Sequence, residues 1–147
     1  MDLNDKKARQ NIVNACTCFN LRKAARLVTQ RFDLTLRSCG VNANQLSVLV
    51  GACDEEGILL TRMAKNLGME RTTLSRNLSL LEHRGMLSIE VGADKRERRI
   101  GITGKGRALL EEAFPLWEKA QNEVVELLGK EKWETLLSGL HEVGRKL

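Results

Sequence analysis

Four thiols and two imidazoles are the side chains of this sequence best suited to covalent or metal chemistry: Cys16, Cys18, Cys39 and Cys53, with His83 and His141. A thiol enzyme needs a group that stabilises the thiolate, normally a C-x-x-C partner or a paired histidine, and neither lies near Cys16 or Cys18. Placed on one continuous helix, Cys16 and Cys18 point about 200° apart, so they do not converge on one metal ion within a subunit. Chelation across a dimer, through Cys39 or a partner's thiol, stays open. Free cysteines usually pack as small buried apolar groups. Three roles therefore stand side by side for these thiols: packing, redox sensing, and metal or metalloid sensing. No Ser-His-Asp set, phosphate loop or paired carboxylates stand out, and both histidines read as surface residues. No catalytic residue, resident metal or cofactor is expected, and the chain reads as a non-enzyme.

Non-covalent chemistry gives the stronger signal. The net charge is +5, and between Arg62 and Arg107 there are 11 Lys and Arg against 5 Asp and Glu, which leaves the flanks at −1. A basic block between neutral flanks suits a polyanion whose phosphates it neutralises, although a merely solvated basic surface would look the same by charge alone. Tyrosine is absent and other aromatics are scarce, which argues against a single-strand platform built on base stacking.

The elements that must position these groups follow from periodicity. The length of 147 residues suits one compact domain. From Lys7 to Leu36 the chain lacks Gly and Pro and reads as one long helix. Its apolar residues (Ile12, Val13, Cys16, Phe19, Leu27 and Val28 among them) cover more than one stripe, so a second subunit is expected to cover part of it. Asn42 with Gln45 resembles a capping box for a helix to about Cys53. Ile58-Leu59-Leu60 is a short extended piece, and Thr61 is the expected N-cap of a helix that Gly68 ends. Another helix runs from near Glu70 to Gly85, with Leu74, Leu78 and Leu81 inward and Thr72, Thr73, Ser75, Arg76 and Ser79 outward. Leu87, Ile89 and Val91 then alternate as a strand, Gly92-Ala93-Asp94-Lys95 turns, and Ile100 and Ile102 mark the return strand. Thr103 caps a long helix that Pro115 is expected to bend. After Gly129, a last helix carries Trp133, Leu136, Leu137, Leu140 and Val143.

The expected fold is mainly α with a small β-hairpin wing. Residues 37–107 form a winged helix-turn-helix, and 1–36 and 108–147 form dimerisation helices, with no independent linker. The tip of the wing is rich in Lys95, Arg96, Arg98 and Arg99. In such a fold the second helix reads base edges in the major groove while the hairpin tip contacts backbone or minor groove. No apolar run approaches the ~18 residues of a membrane span. The segment Met1–Lys7 carries no apolar stretch of a signal peptide, and the cysteines fit no secreted disulfide framework, so a cytoplasmic, nucleoid-associated location and no membrane partner are expected.

Four runs carry a family resemblance: Leu60-Thr61-Arg62-Met63-Ala64, Met69-Glu70-Arg71-Thr72-Thr73-Leu74-Ser75-Arg76, Leu81-Glu82-His83-Arg84-Gly85-Met86-Leu87, and Asp94-Lys95-Arg96 through Ile102-Thr103-Gly104-Lys105-Gly106. Together they resemble the MarR (multiple antibiotic resistance regulator) family over nearly the whole chain. The resemblance implies a transcriptional regulator, a repressor by expectation, that binds an inverted-repeat operator on double-stranded DNA as a homodimer. It implies that Thr72, Thr73, Ser75 and Arg76 face the major groove, and that Arg96 enters the minor groove with Asp94 holding it. Release would come from a small aromatic or phenolic ligand, whose carboxylate Arg22 and Arg26 are placed to neutralise, or from thiol oxidation at Cys16 or Cys18. Thiol sensors of this family hold the reactive sulfur with tyrosine hydroxyls, and this chain has none. Two rivals remain: a small thiol enzyme, and a winged helix whose basic hairpin grips an acidic protein.

Overall fold

Extended backbone at Cys16 (φ −73°, ψ 108°) and Asn42 (φ −105°, ψ 170°) divides the N-terminal part of the chain into three helices. The computed structural model describes residues 5–54, 56–92, 94 and 97–146. The three helices are α1 (Lys6–Ala15), α2 (Thr17–Leu36) and α3 (Ala43–Gly51). The single helix expected from Lys7 to Leu36 is thus two, and the cause is side-chain hydrogen bonding that Gly and Pro punctuation does not reveal. Cys16 Sγ accepts from the Phe19 N–H at 3.4 Å and so caps α2. Asn20 Nδ2 reaches back to the carbonyls of Val13, Asn14 and Cys16 at 3.0, 3.2 and 2.9 Å. The carbonyls of Val13 and Asn14 are acceptors that the end of α1 leaves without intrahelical partners, whereas that of Cys16 also takes the Asn20 N–H at 3.1 Å.

The capping box at Asn42 forms as expected. The Gln45 N–H donates to Asn42 Oδ1 at 2.9 Å, and the Asn42 N–H donates to Gln45 Oε1 at 3.1 Å. Asp33 of α2 joins the same cap, accepting from the Ala43 N–H at 2.8 Å. A short 3-10 turn (Arg37–Cys39) and Gly40 in the left-handed region (φ 68°) connect α2 to this point.

Next come β1 (Ile58–Leu59), α4 (Leu60–Leu67), α5 (Arg71–His83), β2 (Leu87–Val91), β3 (Arg98–Ile102), α6 (Gly104–Leu128) and α7 (Lys130–Lys146). Thr61 is not the cap of α4, because the strand runs directly into the helix and the cap position falls on Leu59, without a side-chain hydrogen bond. The short extended piece is a third strand of the wing. The sheet is antiparallel in the order β1-β3-β2, and Ile100 of β3 faces both Ile58 and Ile89. Thr103 caps α6 as expected, accepting from the Gly106 N–H at 3.1 Å, and the helix continues through Pro115 to Leu128.

Leu74, Leu78 and Leu81 of α5 are buried with Leu49, Met63 and Ile100, and Leu36 of α2 and Leu109 and Ala113 of α6 belong to the same cluster. One core therefore runs across the borders at 36/37 and 107/108, and truncating one such leucine to alanine costs about 2–5 kcal/mol. The outer helices are different. Neither α1 nor α7 buries a residue, and Ile12, Phe19, Leu27, Leu127, Leu136 and Val143 are exposed in the single chain. Apolar surface left open in this way is a mark of an interaction face. Among the described residues, no helix is long and apolar enough to cross a membrane.

Candidate nucleic-acid interface

The inward leucines of α5 fix its rotation on the core, so Thr72, Thr73, Ser75 and Arg76 are all exposed on its other side. Gly68, left-handed at φ 59°, ends α4 and makes the turn into α5. A residue with a Cβ would be strained in that conformation, which is why glycine serves there. Arg62 and Lys65 of α4 and Arg71 of α5 are also exposed, so both helices of the helix-turn-helix present positive charge to solvent.

The wing is built on the pairs Leu87↔Ile102 through Val91↔Arg98. Its loop closes by two backbone hydrogen bonds, Gly92 N–H to Glu97 O at 3.1 Å and Glu97 N–H to Asp94 O at 2.8 Å. Asp94 and Arg98 are exposed. Lys95 and Arg96 lie outside the described residues, and with them the expected hold of Asp94 on Arg96. Arg99 points elsewhere: its Nη1 donates to the carbonyls of Glu56 and Gly57 at 3.2 and 3.3 Å, bracing the loop that leads into β1.

Ser75 and Arg98 meet around one groove of about 460 Å³, which Thr61, Arg71 and Glu97 also line. The structure thus joins the recognition helix to the base of the wing. Sequence reasoning does not single out Arg71, yet its signal is simple. It is the first residue of α5, four before Ser75, and so shares its face.

Cys18 and Arg22, one turn apart on α2, touch each other. Arg22 Nη2 donates to Cys18 Sγ at 3.6 Å. Because Cys16 is a cap residue outside the helix, the separation of about 200° drawn for two helical cysteines does not describe this pair. Among the described residues, no group of three His, Cys, Asp or Glu is placed to hold a metal ion. Cys39 is buried, and burial raises its thiol above the ordinary value, with the Glu112 carboxylate at 3.7 Å adding to the rise. Cys53 is half-buried and donates to Leu49 O at 3.5 Å.

A cleft of about 660 Å³ opens between α2, α3 and α6. Val28, Phe32, Leu46, Val50, Phe114 and Trp117 give it an apolar wall, and Phe114 and Trp117 stack with centroids 5.8 Å apart. Its polar side chains are the hydroxyls of Thr29 and Ser47, and no charged side chain among the described residues lines it. Arg22 and Arg26 instead border a smaller groove of about 240 Å³, with Phe19 and Leu27. The cleft has a faint sequence signal in Val28 and Phe32, spaced four apart on α2. Its far wall comes from residues more than 80 positions away.

A polar helix set by a leucine stripe, a preceding helix across a glycine turn and a basic three-stranded wing together define a winged helix-turn-helix DNA-binding protein. No family model matches the chain. Solved structures do match. The transcriptional regulator MosR of M. tuberculosis, in complex with DNA, is 36% identical, with 89% of this chain and 95% of that chain covered and a TM-score of 0.80. The transcriptional repressor CouR bound to p-coumaroyl-CoA is 26% identical, with 92% and 96% covered and a TM-score of 0.80. A MarR family regulator from Rhodococcus sp. RHA1 has the same fold at 23% identity, with 89% and 95% covered and a TM-score of 0.75. The chain belongs to the MarR family and is a DNA-binding transcriptional regulator. Regulators of this family act on DNA as dimers.

Proposed function

We propose that this regulator is a repressor of the cytoplasm, not a thiol enzyme, and that it holds an inverted-repeat operator through α5 and the wing until a small aromatic ligand enters the cleft between α2, α3 and α6. The observation that carries the reading is the pairing of an exposed polar face on α5 (Thr72, Thr73, Ser75, Arg76) with the wing base at Ser75 and Arg98. The cleft supports the ligand step. It is large enough for a small ligand, apolar, and walled by α2 and α6 on one side and α3 on the other. CouR, 26% identical, is a repressor bound to an aromatic thioester, p-coumaroyl-CoA. The test is a footprint on genomic DNA followed by titration with aromatic compounds. A protected inverted repeat that opens on titration supports the reading, and a footprint indifferent to every aromatic tested removes the ligand step.

A thiol switch is a second reading, favoured by the position of Cys16. Its sulfur caps α2 at the break from α1, with Cys18 exposed two residues on. A hydroperoxide would oxidise the Cys16 thiolate to a sulfenic acid and leave as the alcohol. Attack by Cys18 would then form a disulfide and release water. The cap on the Phe19 N–H would change with the sulfur. Peroxide release that Cys18→Ser leaves as a persistent sulfenic acid supports this route, and release with all four cysteines replaced excludes it.

A further inference from the structure

α5 packs chiefly on α3, α4 and β2 and shares one core with Leu36 of α2 and Leu109 and Ala113 of α6, and its C-terminal end is also tied to neighbouring segments by hydrogen bonds. Three of them converge there. Lys105 Nζ of α6 donates to Arg84 O at 2.8 Å, and Thr103 Oγ1 donates to Gly85 O at 2.8 Å. Arg84 itself, half-buried, sends Nη1 to Gly40 O at 2.8 Å, in the turn between the 3-10 segment Arg37–Cys39 and α3. Gly40 is left-handed, and a side chain there would meet the Arg84 guanidinium at 3.3 Å. The end of α5 is therefore held on one side by the start of the helix that follows the wing and on the other by the turn that joins α2 to α3.

We propose that Arg84 is a positioning residue for operator binding: by bonding Gly40 O it ties the end of α5 to the turn that joins α2 to α3 and so sets the half-site spacing that the dimer accepts. This rests on the reading of α5 as the recognition helix. In a two-fold dimer the two copies of α5 must match half-sites about one helical turn, ~10 base pairs, apart. With the exposed apolar faces of the outer helices taken as the subunit contact, any slack between the end of α5 and the turn after α2 becomes slack in that spacing. Arg84 is the side chain of α5's last turn that spans the gap, and its five donors and planar fork hold a carbonyl in a fixed direction. Its Nη1 is engaged by Gly40 O, so in this proposal it acts through α5 and not on a phosphate.

The experiment uses the full-length protein on operators whose half-sites are moved one base pair closer or farther apart. Arg84→Met keeps the stem and removes the donors, while Arg84→Lys keeps a donor on a comparable stem. The wild type should lose on the order of tenfold in affinity for either shifted operator, because misplaced recognition helices cannot both seat. Arg84→Met should lose less than about threefold on shifting, with the same dimer and the same salt dependence as wild type, and Arg84→Lys should restore discrimination. A uniform loss on all spacings with a salt slope reduced by about 1 would show Arg84 to be a phosphate contact and overturn the proposal. Unchanged spacing preference in a folded Arg84→Met dimer would overturn it as well, and so would an Arg84→Lys dimer that discriminates no better than Arg84→Met. Arg76→Ala serves as the control on α5: if it leaves sequence preference intact, the recognition-helix reading itself has failed.

Discussion

Arg31 of α2 and Glu123 of α6 form an ion pair through Nε and Oε2, joining two helices that lie 92 residues apart in sequence. The hydrogen bond from Arg31 is the main reason the Glu123 carboxyl lies below its ordinary value; desolvation opposes it, and the positive charges of Arg31 and Lys119 add to the lowering. The sign follows from linkage. A carboxyl lowered in the folded state contributes stability above the unfolded value, about 4.3, and that contribution is lost as pH falls through the folded value. Glu123→Gln should therefore flatten part of the fall in melting temperature seen below the ordinary glutamate range while leaving the curve near neutrality little changed. Salt should weaken the same contribution, since Arg31 is half-exposed. A wild-type acid limb reproduced in full by Glu123→Gln would show the pair to be energetically silent.

Much of this architecture is legible in the sequence because it is encoded in local patterns. The leucine stripe of α5, the capping box at Asn42 and the Thr103 cap depend on residues three or four apart, and each appears where the pattern places it. The break at Cys16 is not legible in the same way. It depends on a thiol as N-cap and on Asn20 reaching back seven residues to Val13, and neither is a strong helix-stop signal. Thr61 misleads for the opposite reason, since a good capping residue follows a strand that already leads into the helix. The cleft is hidden because its walls come from α2, α3 and α6, and only tertiary packing brings Phe32 and Trp117 to one space. That is also why Arg22 and Arg26, attractive on chemical grounds, border a different groove.

The recognition helix and the wing should fail in different ways. Arg76→Ala is expected to cost about 1–3 kcal/mol of operator affinity and to relax sequence preference, as loss of a bidentate base contact does. Arg96→Ala should instead weaken binding according to the A·T content of the operator flanks, because a minor-groove arginine reads groove width. Titrations on operators with A·T-rich and G·C-rich flanks separate the two. Equal behaviour of both variants on both operators would contradict this division of labour.

Filling the cleft should uncouple ligand from DNA. Ser47 is exposed on α3 at the cleft wall, so Ser47→Trp should occupy the space without touching α5. Operator affinity should stay within about threefold of wild type, as surface substitutions usually leave stability within roughly ±0.5 kcal/mol. Aromatic ligands should no longer release DNA. Titration calorimetry gives a direct readout, with binding heat expected for the wild type and lost in Ser47→Trp. Binding heat that persists unchanged in Ser47→Trp would place the ligand elsewhere.

The thiols should differ sharply in reactivity. Cys18 is exposed, whereas Cys39 is buried with its thiol raised by burial and then by Glu112. A neutral alkylating agent at neutral pH should therefore label Cys18 within minutes and leave Cys39 until the protein unfolds. Because the Cys39 thiol is raised in the folded state, its contribution to stability is complete below the ordinary thiol value and is lost as pH rises through the folded value. Mass spectrometry of partially alkylated protein checks the order, and early labelling of Cys39 would mean that the core opens where the 3-10 turn meets α6.

Gly106 lies where α6 begins beneath the wing, and a Cβ added there would collide with Met86 O and sit 2.7 Å from Ile102 Cγ1. Met86 O is not free to retreat, because it accepts the Thr103 N–H at 3.1 Å, and Thr103 also caps the helix. Gly106→Ala must therefore separate the end of α5 from the start of α6, and overpacking of this kind costs about 1–3 kcal/mol. Gly104, two residues earlier, has open space where a Cβ would project, with nothing within 4 Å, so Gly104→Ala tests the helix start without the clash. The first variant should lower the melting temperature by several degrees, since about 1 kcal/mol shifts a chain of this size by roughly 2–4 °C. The second should leave it nearly unchanged. Operator affinity measured well below the transition should fall for Gly106→Ala alone, because the displaced strand-to-helix corner carries the wing on one side and the Lys105 contact to Arg84 on the other. Equal melting curves for the two variants would show that the corner has room the packing does not reveal.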